Sequence, residues 1–173
     1  IRNDKLGDFM LAWPAIALLK KQYPACRLTV LVPEYTRPIA EQCSWIDHII
    51  IDKRHDSLIA DVNNLAKKIK EGNFDVSISL FSELRTALAL WRARVPKRIA
   101  PATKIAQFFY TNTLKQRRSR SEKPEYEYNI DLIRYLITLN GENPITPRAP
   151  PFLVFDNDLI NNIRNNYRKE HHI

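Results

Sequence analysis

Gly7 and Asp8 stand where a short polar stretch, "NDKLGD", gives way to an apolar helical run ending near Leu19. A carboxylate at that junction has two uses. It can cap the helix by accepting hydrogen bonds from the first free N–H groups. It can also take a proton from a hydroxyl brought within reach. Gly7 beside it leaves the backbone open to close approach. A second concentration lies in "KQRRSRSEK", which gathers Lys115, Arg117, Arg118, Arg120 and Lys123. Such a run can meet phosphates, acidic sugars or an anionic membrane, and it can equally be a solvated loop. His48, His55, His171 and His172 share no ligand spacing with Cys26 or Cys43, so a metal-free mechanism is expected, with no cofactor. No glycine-rich dinucleotide fingerprint or phosphate loop is present.

The chain that must position these groups has 173 residues, a length suited to one domain, and 45% of them are hydrophobic, which is a globular composition. Its formal net charge of +8 asks for an anionic partner. Long aromatic-interleaved basic stretches of the kind that grip single strands are missing, so nucleic acid is not the expected one. No apolar run reaches the roughly 18 to 20 residues that span a bilayer. The run from Phe9 is closed by Lys20 and Lys21 and lacks the basic start of a signal peptide. A cytoplasmic protein with free cysteines is expected.

Short β-branched runs alternate with amphipathic ones. "RLTVLV" (27–32), "HIII" (48–51) and "DVSISL" (75–80) read as strands, with further ones around Arg98–Ile99 and at Phe152–Phe155. Helices are expected over 8–22, 57–70, 82–92 and 126–139, the last stopped by Asn140–Gly141, and a final helix capped by Asp156. This alternation predicts an α/β fold: a parallel sheet with helices on both faces. A first strand should precede Asp4, and only Ile1, Arg2 and Asn3 stand for it. In such a sheet, ligands bind beyond the carboxyl ends of the strands, which is where the loop from Asp4 to Asp8 falls. "ENPITPRAPP" reads as a stiff, extended connection.

The order of these segments resembles the family 9 glycosyltransferases, the lipopolysaccharide heptosyltransferases. "RNDKLGDFMLAWPAIALLKKQYP" carries Gly7, Asp8, Pro14, Ala15, Lys20, Tyr23 and Pro24 in the family's opening pattern. "NFDVSISLFSELRTALALWRARVPKRIA" and "YNIDLIRYLITLNG" follow as second and third matches. The resemblance implies the Rossmann-like N-terminal, acceptor-binding domain of a two-domain GT-B enzyme over residues 1–150. Residues 151–173 would then begin the passage to a donor-binding domain. It implies an inverting transfer in which Asp8 is the base. The donor would be a nucleotide sugar, ADP-heptose by family expectation, and the acceptor an anionic lipopolysaccharide. Lys5, Gly7 and Ser82 would lie at the substrate; Arg117, Arg118 and Arg120 would meet acceptor phosphates or form a peripheral contact at the inner face of the inner membrane. The chain alone would be inactive. Two positions depart from the family pattern: Ser79 where a second Asp is common, and Pro124 where a His is. The residues by themselves leave two competing readings, a basic binding module and an unrelated nucleotide-binding domain.

Overall fold

A computed structural model describes residues 1–54, 57–153 and 155–171. Five strands run through it: β1 (Thr29–Val32), β2 (His48–Ile51), β3 (Val76–Ile78), β4 (Lys97–Pro101) and β5 (Asn112–Leu114). β1 pairs with β2, and β3 with β4 and then β5, every pairing parallel. Residues 1–3 lie between the two sets. Ile1 N donates to Ile78 O and accepts from Leu80 N at its carbonyl, while Arg2 N donates to Leu31 O. One sheet results, ordered β2-β1-(1–3)-β3-β4-β5. Chain crossovers leave residues 1–3 in one direction to reach β1 and β2, then in the other to reach β3. In an open parallel sheet such a reversal is the usual ligand position, and here it falls at residues 1–3 and β3.

Helices cover both faces. On one, α2 (Trp13–Gln22) packs against α6 (Glu125–Leu139) through Ala15, Leu18, Ile130, Ile133 and Ile137. On the other, α4 (Leu58–Glu71), α5 (Leu84–Arg92) and a 3-10 helix at Ile105–Phe109 bury Leu65, Ile69, Leu90, Ala106 and Tyr110. In α4, Leu65, Ala66 and Ile69 recur at helical spacing and form one buried stripe, while Leu58 and Ile59 at its start stay exposed.

The helix expected over 8–22 is two helices, α1 (Leu6–Met10) and α2. Pro14 explains the break, since it has no N–H for the Met10 carbonyl and its ring crowds that turn. Gly141, with φ of 77°, ends α6 in the left-handed conformation that glycine tolerates best. A further short helix, α3 (Arg37–Glu41), was not expected. The strand expected at Phe152–Phe155 is not one among the described residues. Phe152 and Leu153 instead pack their side chains against the central core, and Val154 lies outside the described residues. Asp156 does cap the last helix, α7 (Asn157–His171): its Oδ1 accepts from the N–H groups of Asp158 and Leu159. Cys26 and Cys43 are free. Among the described residues, no helix is long and apolar enough to cross a membrane.

Candidate active site

The reversal point of the sheet is organised by a buried cation. Arg2, 5% exposed, leaves the sheet with its guanidinium directed at three carboxylates. Nε lies 2.9 Å from Asp4 Oδ1, Nη2 lies 3.2 Å from Asp8 Oδ1, and Nη1 lies 3.1 Å from Glu125 Oε1. Nη1 also reaches the Leu80 carbonyl at 3.4 Å, at the end of β3. The Asn129 amide, fully buried in α6, donates to Leu11 O at 3.1 Å and fixes α1 against α6. The Tyr35 hydroxyl donates to the Asp4 carbonyl from the segment after β1. Four parts of the chain thus converge on the loop that bears Asp8. Burial pushes the Asp4 carboxyl above its ordinary value, with Arg2 opposing.

Asp8 does not cap the helix. Lys5 occupies the cap position of α1, and Asp8 falls in its first turn. Its carboxylate is one-third exposed, and Arg2 is its ion-pair partner among the described residues. A carboxylate held by a buried guanidinium, partly open to solvent and not bonded to the backbone N–H groups of its own helix, is geometrically free to accept a proton. Above Gly7 a Cβ would meet nothing within 4 Å, so the approach to Asp8 is open. Lys5 is exposed beside it. Ser82, in the loop between β3 and α5, has a buried hydroxyl with no hydrogen-bond partner among the described residues; so do Ser79 and Tyr110. Their hydroxyls are near neighbours, but not in hydrogen-bonding geometry. Burial raises the Tyr110 phenol above its ordinary value.

The basic run divides. Arg118 joins the network: Nη1 donates to Glu125 Oε1 at 2.6 Å, so Glu125 is shared between Arg118 and Arg2. Arg118 also lies 5.5 Å above the Tyr128 ring. Burial lowers its pKa and Glu125 opposes this. Lys123 pairs with Asp131. Arg117 pairs loosely with Glu122 at 3.9 Å, and Arg120 is exposed. The structure therefore connects Asp8 to Arg118 and leaves Arg117 and Arg120 outside that network. Among the described residues, no group of three His, Cys, Asp or Glu could hold a metal ion. His55 and His172 lie outside the described residues.

A second network forms the floor. Asp52, one residue beyond β2, receives both Arg85 nitrogens, at 2.9 and 2.5 Å, with both side chains under 5% exposed. Asn3 Nδ2 donates to Asp52 Oδ2 at 2.8 Å and to Glu83 Oε2 at 3.3 Å. Arg54 closes on Glu83 at 3.0 Å from the outside. Burial alone would raise Asp52, but hydrogen bonds from Arg85 and Asn3 carry it below the usual carboxylate value. Sequence reading missed Arg2, Asn3, Asp4, Asp52, Arg85 and Glu125. Their one visible sign is position: Arg2, Asn3 and Asp52 are polar residues directly at the ends of apolar strands.

No family model matches the chain. A Haemophilus influenzae protein described as "putative glycosyltransferase" is 47% identical over 165 residues, 95% of this chain and 47% of that protein. A family 9 glycosyltransferase from Veillonella parvula superposes with a TM-score of 0.79 at 20% identity, over 99% of this chain and 48% of its own. The chain has the fold of the family 9 glycosyltransferases, over about half of the solved chain's length. The E. coli ADP-heptose lipopolysaccharide heptosyltransferase II shares the glycosyltransferase fold, with a TM-score of 0.71 at 17% identity over 94% of this chain and 47% of its own. The chain spans about half the length of the relatives it matches.

Proposed function

We propose that these residues form the acceptor-binding half of an inverting glycosyltransferase, with Asp8 as the base. The observation that carries this reading is the placement of Asp8: off the cap position, beside open space at Gly7, and held by Arg2 at the sheet's reversal point. Asp8 takes the proton of an acceptor hydroxyl. The oxygen attacks the anomeric carbon of a nucleotide sugar from the face opposite the leaving group. The bond to the diphosphate breaks, and the nucleotide departs with that electron pair. Arg2 keeps the carboxylate in place and balances its charge before the proton arrives.

The likeness to heptosyltransferases supports ADP-heptose as donor and a lipopolysaccharide core as acceptor, met by a cytoplasmic enzyme at the inner face of the inner membrane. Residues 1–150 are the acceptor domain in this reading, and residues 151–173 lead toward the donor half. The 173 residues by themselves then transfer no sugar and bind no ADP-sugar tightly. Holding two reactants together is worth about 7–11 kcal/mol of a barrier, and one half cannot supply it. Calorimetry with ADP and an ADP-sugar checks this. Micromolar binding together with transfer by these residues would overturn the domain assignment.

The basic run supplies a second expectation. Arg117 and Arg120, like exposed Lys115, are spared by the Glu125 network, so they are available to acceptor phosphates. Reversing both to Glu is expected to raise the acceptor KM in a protein spanning the full length of its relatives, with kcat little changed. An unchanged KM would assign the pair to a solvated loop.

A further inference from the structure

The excess positive charge of this protein lies in one segment. Residues 84–121 contain ten Lys and Arg and no Asp or Glu, whereas the rest of the chain sets seventeen cations against nineteen acids. Several of the ten are consumed internally. Arg85 serves Asp52, Arg98 serves the carbonyls of Val95 and Phe109, Lys97 serves Asn140, and Arg118 serves Glu125. Arg92, Arg94 and Lys104 are exposed, and among the described residues none has a carboxylate partner.

These three cations flank an apolar ridge. In a 3-10 helix, residues three apart eclipse one another. At Ile105–Phe109 this sends Ala106 and Phe109 inward, while Ile105 and Phe108 stand outward together, 65% and 78% exposed. Trp91, 55% exposed at the end of α5, meets Phe109 edge to face at 5.9 Å and continues the patch. Lys104, immediately before the ridge, has φ of 35°, outside the regions that side-chain-bearing residues favour. None of these residues belongs to the Arg2 network.

We propose that the ridge of Trp91, Ile105 and Phe108, with Arg92, Arg94 and Lys104, is a docking surface for an anionic lipid bilayer. Large apolar groups standing clear of the surface beside basic ones match an interface with anionic headgroups above acyl chains. A second copy fits poorly, since pairing this face with itself would bring six unpartnered cations together. A nucleic acid offers no apolar medium for Ile105. This inference rests on the proposed placement of the protein at the inner face of a membrane and gives that contact a surface; the reading of Asp8 as base is not used in it.

Co-sedimentation of the full chain tests it, with vesicles of phosphatidylcholine alone or with added phosphatidylglycerol. Binding is expected to the anionic vesicles at low salt and to fade as salt screens the charges. Ile105→Ser with Phe108→Ser should weaken it about tenfold or more, because exposed side chains lose acyl contact without disturbing the core. Arg92→Gln with Lys104→Gln should cost roughly fivefold for each charge removed. The blue shift of tryptophan emission on vesicles should vanish in Trp91→Phe. Equal binding to both vesicle types, or wild-type binding by the Ile105→Ser/Phe108→Ser variant, would overturn the proposal. So would concentration-dependent association in solution that the same variant abolishes, which would assign the ridge to self-association.

Discussion

Asp8→Asn is expected to leave the melting temperature nearly unchanged and to cut sugar transfer by about 10²- to 10⁴-fold, in a protein spanning the full length of its relatives. That is the usual cost of losing a positioned base. The small stability effect follows from geometry. Asp8 is not the cap of α1, and its ion pair is one-third open to water. Exposed pairs contribute about 0–1 kcal/mol. Arg2 keeps Asp4 and Glu125 when the charge at Asp8 is lost. Asn preserves the shape of the side chain but cannot take the proton. A purely structural Asp8, present to balance Arg2, gives the opposite pattern: a lower melting temperature with turnover intact. Full activity in the Asn variant would sink the catalytic assignment.

The largest stability effect should come from the floor of the site. Asp52→Ala leaves the Arg85 guanidinium buried with its bidentate partner gone. Removing one member of a buried pair costs about 3–5 kcal/mol when the remaining charge is uncompensated, and Glu83 Oε2, 3.5 Å from Arg85 Nη2, sets the expected loss toward the lower end. Replacing both, as Asp52→Leu with Arg85→Met, should recover much of that loss. Chemical denaturation of the three variants measures the difference. Asp52→Ala unfolding with the wild type would remove the pair from the account of stability. The same pair sets a pH dependence. Asp52 titrates below its unfolded value when folded, so its contribution is complete above that unfolded value, about 3.9. It is lost as the pH falls through the lower folded value. The Asp52→Leu/Arg85→Met variant should lose less stability on acidification over that range.

Much of the fold could be read from single segments, because each rests on local chemistry. The β-branched "HIII" is a strand at the residues expected, α4 follows the apolar stripe from Leu58 to Ile69, and Asn140–Gly141 stops α6. Asp8 could be singled out for the same reason: a carboxylate beside a glycine at a strand–helix junction is a local pattern. Pairing is where local reading fails. Phe152–Phe155 has the composition of a strand but no neighbour to bond with among the described residues, while polar Asn112–Leu114 becomes β5 because Ile99–Pro101 lies alongside it. The site shows the same division. What holds Asp8 is Arg2, what holds Arg2 is Glu125, and what shares Glu125 is Arg118; the link from Arg2 to Glu125 alone bridges 123 residues of sequence. Residue types and spacing set out the elements and one candidate base. Which charges meet was decided only in the tertiary structure, because a salt bridge depends on distances of a few ångströms that adjacent strand ends create and sequence separation does not record.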